Sequence, residues 1–354
     1  MSKTKPAPLP PDTVIGGYRI VRLLAAGGFG LVYLALDANG REVAIKEYLP
    51  ASLALRSPGE RSPVVAPEKQ ALFRRGLRNF FEEGRALAQI AHPAVVGVHD
   101  FFRENETVYM VMDYLQGASL QEFILAARSR QGDKALSEAT IRSIFDEVLR
   151  GLRIVHQHKM LHLDIKPANI FITDDDRAVL IDFGAAREVL NPEGGFARPM
   201  YTPGFAAPEM YRRAEIAGLG PWTDIYAIGA CMYACMQGCP PHDVPQRRDK
   251  DRLDGALARL QGSYSDQLLD VVRWCMALDP LSRPQSVFAL QRALASEALP
   301  EPTPARWWDR VRARLGWEPA GESPHGPVSL HGQQASGHSC TGFPSARYSS
   351  RTKP

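Results

Sequence analysis

Asp164, Lys166 and Asn169 stand two and three residues apart in one polar loop, residues 162–169, between two apolar stretches. An aspartate there could accept a hydroxyl proton, a lysine could neutralise a moving phosphoryl group, and an asparagine could hold a metal ion. Phosphoryl transfer depends on such positioning and charge stabilisation more than on covalent chemistry. The residue types and their spacing therefore favour phosphoryl transfer, with a solvated turn as the alternative.

Three further charged residues occur in otherwise apolar stretches. Lys46 ends a predicted strand at 42–46, and a partly buried ammonium needs an anionic partner. Glu83 lies on the predicted amphipathic helix that follows, on the same face as Leu87. Asp182 ends an apolar strand and is followed by Phe-Gly, which suits a metal-binding carboxylate on a turn that can pivot.

A glycine-rich hairpin, residues 25–30, joins two predicted strands at 18–24 and 31–36. Glycine tolerates positive φ angles and close approach, so the backbone amides of such a turn can fold over phosphate groups. Many hairpins contain glycine, however. The turn alone therefore does not distinguish phosphate binding from an ordinary connection.

The elements that must position these residues form two groups along the chain. Strands near 95–102 and 107–112 complete an antiparallel sheet, and after Ser119 the pattern becomes mainly helical, with a long amphipathic helix through 141–155. We therefore expect an α+β fold with an N-lobe at about 15–114, formed by an antiparallel β-sheet and one key helix, and a mainly α-helical C-lobe at about 118–299.

The two ends of the chain are expected to lie outside this fold. Residues 1–14 are proline-rich without hydrophobic periodicity, which predicts a disordered leader. Residues 300–354 form a Pro/Gly/Ser-rich tail with a short basic, tryptophan-containing amphipathic segment at 305–317. That segment could touch an anionic membrane surface weakly, dock on the body of the protein or bind a partner.

Charge and cysteine usage limit the function class. The tail carries the whole net charge of +3, and residues 1–299 contain 35 basic and 35 acidic residues. A neutral body argues against a dedicated nucleic-acid binder. Five cysteines without paired spacing, and no signal peptide, indicate a reducing and cytoplasmic setting. No apolar run reaches transmembrane length, and the stretch 225–239 is better interpreted as a buried helix.

Glu209 and Arg283 are charged residues in apolar helical surroundings. Because buried charges need partners, we expect these two to pair. Taken in order, the segments resemble a eukaryotic-type serine/threonine protein kinase of bacterial kind over about residues 15–296. The motifs that carry the resemblance are the glycine loop, Val43-Ala44-Ile45-Lys46, Glu83, the Asp164 loop, Asp182-Phe183-Gly184, Ala207-Pro208-Glu209, Asp224 and Arg283.

The resemblance implies ATP and protein substrates bearing serine or threonine, with Mg²⁺ or alternatively Mn²⁺ as the metal. Asp164 would be the catalytic base, Lys166 would steady the γ-phosphoryl group, and Asn169 with Asp182 would hold the metal. Lys46 would contact the α/β-phosphates and pair with Glu83. The residues implied for nucleotide binding are Leu24, Ala25, Gly27, Gly28, Phe29, Gly30, Val32, Ala44, Lys46, Glu83, Met112, Asp113, Leu115, Leu120 and Phe171.

Other roles follow from the same resemblance. Thr202 matches the threonine that links the substrate-facing segment to the catalytic loop in the serine/threonine class. An apolar stack joining the lobes would contain Leu87, Val98, His162 and Phe183. For the apolar positions of the pocket and the stack, ordinary core packing remains the alternative.

Three departures from the family pattern are informative. Ala25 replaces the first glycine of the loop, which predicts a modest effect on nucleotide affinity. Leu163 stands where most members have an arginine that receives the activation-segment phosphate, and residues 185–201 contain no serine or threonine. We therefore expect activity without activation-loop phosphorylation. The 36 residues between Lys46 and Glu83 exceed the usual connection in the family. They could bias the Glu83 helix, with a neutral insertion as the alternative.

Two other function classes remain at this point. A pseudokinase scaffold or signalling adaptor would keep the fold without catalysis, but the six polar residues of the chemistry are all present. A small-molecule kinase would share the two-lobed core, and the 207–209 motif with Arg283 argues against it. The sequence carries no indication of the oligomeric state.

Overall fold

The structure is a computed structural model, and it describes residues 6–28, 30–131, 136–183, 187–188, 201–211 and 218–295. The N-terminal part is built on a six-stranded antiparallel sheet in the order β1-β2-β3-β4-β8-β7. Its strands are β1 (Val14–Ile15), β2 (Tyr18–Ala26), β3 (Gly30–Leu36), β4 (Glu42–Tyr48), β7 (Val98–Glu104) and β8 (Thr107–Asp113). The predicted sheet is therefore present. Four of its strands extend one or two residues beyond the predicted bounds, whereas β7 begins at Val98 and not near residue 95 as predicted.

One long helix, α1 (Gln70–Leu87), packs beside this sheet against β7 and β8. Phe73, Leu77, Phe80 and Leu87 recur at helical spacing and form its buried face. A short hairpin, β5 (Ala54–Leu55) with β6 (Val64–Val65), lies in the connection between β4 and α1. The helix thereby carries Glu83 along the sheet, as the hydrophobic pattern predicts.

The C-terminal part is mainly helical, so the predicted α+β class is confirmed. A second sheet of three strands, in the order β12-β11-β9, and the pair β10 with β13 flank the polar loop. The helices are α2 (Leu120–Gln131), α3 (Glu138–Gln157), α4 (Pro221–Gln237), α5 (Val244–Asp249), α6 (Leu253–Ala258), α7 (Asp266–Cys275) and α8 (Val287–Leu294). The small strands are β9 (Gly117–Ser119), β10 (Met160–Leu161), β11 (Ile170–Thr173), β12 (Ala178–Leu180) and β13 (Arg187–Glu188).

Two of these helices show how local sequence sets their form. Helix α3 begins at Ser137, whose side chain accepts the amide hydrogen of Thr140 as an N-cap. Helix α4 is buried on nearly all sides, which explains why its sequence is apolar without a polar face. The interpretation of 225–239 as a buried helix is confirmed as far as Gln237. No helix in the described part of the chain is long and apolar enough to cross a bilayer.

The structure differs from the expected leader at residues 6–14. Leu9 is only 3% exposed in the apolar cluster on the outer face of the sheet, and Val14 belongs to β1. The amide of Ala7 donates to the carbonyl of Arg56 at 2.9 Å, and the amide of Leu9 donates to the Tyr33 hydroxyl at 3.1 Å. One buried leucine and backbone bonds to the β4–α1 connection hold a segment whose own sequence shows no periodicity.

Candidate active site

The polar loop lies between β10 and β11 and ends in a 3₁₀ turn at Pro167–Asn169. Lys166 Nζ donates to Asp164 Oδ2 at 2.7 Å. The Asn169 side-chain amide donates to the Asp164 carbonyl at 2.8 Å and to its Oδ2 at 3.0 Å. The three residues singled out by spacing therefore meet at one carboxylate.

Thr202 reaches the same carboxylate from 38 residues farther along the chain. Its hydroxyl donates to Asp164 Oδ1 at 3.2 Å, and Lys166 Nζ lies 3.3 Å from the same hydroxyl oxygen. Each Asp164 oxygen therefore has a defined donor. The contact joins the loop to the segment beginning at Tyr201, which is the relationship that the resemblance implies for Thr202.

Asp224 of α4 holds the backbone of the loop by two hydrogen bonds. Its Oδ2 accepts the amide hydrogen of His162 at 2.9 Å, and its Oδ1 accepts that of Leu163 at 2.8 Å. His156 Nε2 lies 2.8 Å from Oδ2. Burial opposes ionisation of this carboxyl, but the hydrogen bond and charge of His156 and the His162 amide lower its pKa. An ionised, buried carboxylate thus holds two consecutive amides.

The sequence places Asp224 among the motifs of the resemblance but assigns it no role. The available signal was an aspartate in a helix that is otherwise apolar. Such a residue needs several donors, and a loop with unpaired amides can supply them. Which loop does so depends on the packing of α4 under residues 162–163.

Lys46 and Asp182 form a close ion pair, with Nζ 2.7 Å from Oδ1. Burial disfavours the ammonium, but Asp182 and then Glu83 outweigh it and raise the pKa of Lys46. Burial likewise opposes ionisation of Asp182, yet the charge and hydrogen bond of Lys46 lower the pKa of Asp182 to about 2. The sequence interpretation paired Lys46 with Glu83. The described contact of Lys46 is with Asp182, and Glu83 acts on it through charge.

Asn169 and Asp182 offer oxygen donors suited to a divalent metal. Because the Asn169 Nδ2 group is bonded to Asp164, its carbonyl oxygen is the atom that could face a cation. The backbone next to Asp182 is bonded to Asn169, since the Ile181 amide donates to the Asn169 carbonyl at 2.9 Å. Among the described residues no group of three His, Cys, Asp or Glu side chains could hold a metal alone. Mg²⁺ favours sites in which phosphate oxygens join one or two oxygen atoms of the protein. The two oxygens that Asn169 and Asp182 offer therefore fit this metal.

The apolar positions implied for the nucleotide pocket lie in one buried cluster. The side chains of this cluster come from β2, β3, β4, β8, the start of α2 and β11. The partly buried Ala25 and Leu115 pack against them. The buried members are Leu24, Val32, Ala44, Met112, Leu120 and Phe171. The cluster continues into the C-terminal core, so burial alone does not separate a ligand pocket from ordinary packing there.

The glycine turn is compact where the structure describes it. The Gly27 amide donates to the Gly30 carbonyl at 2.9 Å, and both Gly27 and Gly28 are exposed. A Cβ at Gly30 would collide with the carbonyl oxygen of Glu47, so β3 approaches β4 there only because the residue is glycine. Phe29 lies outside the described residues. Asp113 ends β8, and its amide donates to the Gly97 carbonyl at 2.9 Å.

His162 and Phe183 stack with ring centroids 4.3 Å apart. Both are buried, and Leu87 and Phe183 belong to one apolar cluster, against which the partly buried Val98 packs. Burial lowers the pKa of His162, so the imidazole is neutral at physiological pH. The Asp164 amide lies 3.3 Å from its Nδ1 atom. The apolar stack therefore also supports the loop.

The expected pairing of Glu209 with Arg283 is present. Arg283 donates to Glu209 Oε1 at 2.9 Å and to Oε2 at 3.1 Å, in a two-point arrangement that is almost wholly buried. The Thr223 hydroxyl also donates to Glu209 at 2.8 Å, and the guanidinium reaches backbone carbonyls at Ala277 and Trp222. This fully bonded pair ties the 3₁₀ turn Pro208–Tyr211 to α4.

Leu163 is buried, with 7% of its surface exposed, and takes a φ angle of 61°. It lies where a charged residue would otherwise be expected. Of the segment from 184 to 200, the structure describes only Arg187 and Glu188, which form β13 opposite β10. The remainder of that segment and the tail at 296–354, including 305–317, lie outside the described residues.

Comparison with known proteins gives consistent findings. Residues 18–296 match the family described as the protein kinase domain. The chain is similar to the serine/threonine-protein kinase pkn2 of Myxococcus xanthus, with 30% identity over 311 residues that cover 81% of this chain and 33% of that protein. It is also similar to PknA of Mycobacterium tuberculosis, with 30% identity over 236 residues that cover 65% of this chain and 48% of that protein. The chain thus spans between a third and a half of the length of these relatives.

Solved structures agree in fold. The structure described as PpkA-294 apo form has a TM-score of 0.69 and 34% identity, covering 81% of this chain and 99% of that chain. A mutant of the kinase domain of Mycobacterium tuberculosis PknI has a TM-score of 0.56 and 23% identity, with 81% and 98% covered. The second comparison shows the fold alone.

Proposed function

Because the chain belongs to the protein kinase domain family, we propose that it transfers the γ-phosphoryl group of ATP to serine and threonine hydroxyls of protein substrates. One observation carries the proposal. The Asp164 carboxylate is held by Lys166, Asn169 and Thr202. A carboxylate fixed at both oxygens is ready to accept a proton without rearrangement.

The proposed reaction divides its work among few side chains. Asp164 accepts the proton of the substrate hydroxyl as the oxygen attacks the γ-phosphorus. Lys166, 2.7 Å from that carboxylate, neutralises charge on the transferred group. Lys46 contacts the α- and β-phosphates from β4. Asp182 and Asn169 would hold Mg²⁺ or Mn²⁺, which would supply charge neutralisation on the phosphate oxygens.

Preference for serine and threonine rests on the Thr202 contact. Thr202 links the substrate-facing segment to both Lys166 and Asp164. The proposed partners are therefore proteins with accessible serine or threonine. Membrane contact by residues 305–317 and a cytoplasmic location stay predictions.

We also propose that activity does not depend on activation-loop phosphorylation. Leu163 is buried and apolar, so it cannot receive a phosphate by charge-assisted hydrogen bonds. Residues 185–201 contain no serine or threonine, and Thr202 is already bonded to Lys166 and Asp164. Instead, the loop backbone is held by Asp224, which needs no modification to act.

The test of transfer uses the full-length chain with ATP, Mg²⁺ or Mn²⁺, and generic protein substrates. Asp164→Asn and Lys46→Ala should each abolish most transfer, because they remove the base and the phosphate-binding cation. Asp175→Asn, at an exposed ion pair with Arg177, is the matched control and should keep full activity. If the folded native protein transfers no phosphate with either metal, that result would favour the pseudokinase scaffold over the active enzyme.

The test of independence compares turnover before and after treatment with a phosphatase. Equal turnover is expected. A drop of about tenfold that follows loss of phosphate between residues 185 and 205 would defeat this part of the proposal. Mass spectrometry of the treated chain locates the phosphate that was removed.

A further inference from the structure

A buried charge network lies on the outer face of the N-terminal sheet, away from the proposed site. Arg56, in the β4–α1 connection, has a side chain that is 0% exposed, and so does Glu47 of β4. The Arg56 guanidinium donates to Glu47 Oε1 at 2.5 Å and to Oε2 at 2.8 Å. The two-point arrangement fixes the guanidinium plane against the strand.

The remaining donors of Arg56 reach the N-terminal segment, a second residue of the β4–α1 connection and strand β3. Nε donates to the Ala7 carbonyl at 2.8 Å, one terminal nitrogen donates to the Arg61 carbonyl at 3.3 Å, and the other donates to the Tyr33 hydroxyl at 2.8 Å. All five N–H groups therefore have an acceptor. Burial disfavours the cation, but the hydrogen bonds and charge of Glu47 raise the pKa of Arg56.

Glu47 is equally well satisfied. The Tyr33 hydroxyl donates to its Oε2 at 2.8 Å, and the Tyr109 hydroxyl donates to its Oε1 at 2.9 Å. Burial and the neighbouring Glu47 charge raise the pKa of both tyrosines, so both stay protonated donors. A buried ion pair is favourable only when all of its groups are bonded, and this one meets that condition.

The strand that carries Glu47 connects this network to α1. Side chains alternate along a strand, so Lys46 and Tyr48 point away from the network. The Tyr48 ring packs against Phe73 at 5.4 Å and against Phe80 at 5.6 Å between centroids. Burial raises the pKa of Tyr48 to about 12. Lys46 Nζ lies 5.5 Å from the centroid of the Phe80 ring, so helix, tyrosine and lysine are in contact.

Helix α1 also approaches β4 more closely than a side chain would allow. A Cβ at Gly76 would collide with the Tyr48 hydroxyl, so the helix touches the tyrosine at its glycine. On the connection side, Lys69 Nζ donates to the Ser52 carbonyl at 2.9 Å, one residue before α1 begins. The position of α1 therefore depends on both β4 and the connection that Arg56 holds down.

We infer that Arg56 is a positioning residue for catalysis. By clamping the β4–α1 connection to Glu47, it holds α1 in the position at which the helix contacts Lys46. The inference rests on the proposed kinase activity. The connection spans 21 residues from Leu49 to Lys69. Without a clamp, such a loop could place the helix in several positions, since closing a loop of this length constrains its ends only weakly. Arg56 restricts the connection to one position because its guanidinium is bonded to Glu47 of β4.

The first variant is Arg56→Met, which removes the donors but keeps a long apolar side chain. Arg56→Lys keeps the charge and loses the fork, and Arg61→Met is the exposed control in the same connection. For Arg56→Met and Arg56→Lys we expect kcat/KM for ATP to fall at least about tenfold, with KM for the protein substrate unchanged. Arg61→Met should match the native protein.

A paired replacement separates positioning from loss of a buried partner. Glu47→Leu combined with Arg56→Met removes both charges, and such replacements are often neutral for stability. We expect this double variant to regain stability without regaining kcat/KM for ATP, because an apolar pair cannot hold Ala7, Arg61 and Tyr33. Recovery of both quantities would overturn the inference, since any stable filling would then suffice.

Hydrogen exchange of α1 supplies a readout independent of activity. In Arg56→Lys, amides in residues 70–87 should exchange faster at a temperature where circular dichroism shows a folded chain. Unchanged exchange there, with unchanged kcat/KM and only a lower Tm, would reduce Arg56 to a stabilising residue and overturn the inference. If the native protein has no activity, the proposed function fails, while the exchange result still decides whether Arg56 positions α1.

Discussion

Asp224 Oδ1 accepts the backbone amide hydrogen of Leu163 at 2.8 Å, and Leu163 takes a φ angle of 61°. A leucine in this left-handed region costs on the order of 1–2 kcal/mol. The conformation turns the chain so that Asp164, the next residue, faces Lys166 and Thr202. A buried aspartate on α4 therefore maintains a strained backbone next to the proposed base.

Replacing that aspartate tests the relationship. In Asp224→Asn, one acceptor oxygen becomes an NH₂ group that faces an amide hydrogen, so one of the two loop bonds is lost. We expect kcat to fall at least about tenfold and the free energy of unfolding to fall by about 1–3 kcal/mol. Steady-state kinetics and urea unfolding measure the two effects. The matched control is Asp254→Asn, at a largely exposed carboxylate; equal effects from both variants would contradict the argument.

Introducing the charge that the loop lacks should harm the protein. Leu163→Arg places a guanidinium at a site where the native side chain is 7% exposed, and residues 185–201 offer no phosphorylated serine or threonine to pair with it. We expect a loss of stability of about 2–4 kcal/mol and no gain in turnover. Thermal unfolding and kinetics measure both, with Leu163→Met as the conservative control. Higher turnover in the arginine variant would contradict the proposed independence from phosphorylation.

Removing Arg283 should be far more costly than removing a surface arginine. Arg283→Met leaves the Glu209 carboxylate buried without its two-point partner. Breaking a buried pair from one side costs about 3–5 kcal/mol. Urea unfolding of Arg273→Met, at an arginine that is 43% exposed, provides the comparison and should show a change below about 1 kcal/mol. Similar losses of stability in both variants would show that the buried pair contributes no more to stability than the exposed arginine does.

Stability should fall as the solution becomes mildly acidic. The pKa of His162 lies below its usual value of 6.5 in the folded protein because the ring is buried. A group with a depressed folded pKa binds its proton more readily when unfolded. Its contribution is therefore complete above pH 6.5 and is lost as pH falls through the folded pKa.

The free energy of unfolding, measured by urea between about pH 7.5 and about pH 5.5, should show this slope. His162→Phe keeps a ring against Phe183 and removes the titration, so its slope should be smaller. His158→Phe, at an exposed histidine near the end of α3, is the control and should keep the native slope. An unchanged slope in His162→Phe would assign the pH dependence to other groups.

Much of the fold could be predicted because its signals are local. Hydrophobic periodicity predicts strands at 42–46 and 107–112 and a helix through 141–155, and the structure contains all three with slightly longer bounds. The meeting of Asp164, Lys166 and Asn169 could be predicted because a single short loop carries all three. Local patterns of this kind require no knowledge of how distant segments pack.

Contacts between distant segments could not be predicted in the same way. Leu9 is the buried large apolar residue of segment 6–14, and its burial depends on space left between β3 and the β4–α1 connection. Arg56 looks like a polar loop residue in sequence, yet all its donors are used inside the protein. The resemblance implies Glu83 as the partner of Lys46, and the contact of Lys46 with Asp182, 136 residues away, depends on how the two parts of the chain pack.

Three consecutive residues of β4 carry three different tasks, and this restricts how the chain can change length. Lys46 and Tyr48 face α1, whereas Glu47 faces the opposite side. Inserting or deleting one residue within β4 before Lys46 would exchange the two faces, placing a carboxylate toward the proposed phosphate site and an ammonium against Arg56. Insertions and deletions among relatives should therefore collect in the exposed turn at residues 57–60, between Arg56 and the carbonyl of Arg61 that it holds, while β3 and β4 keep a constant length.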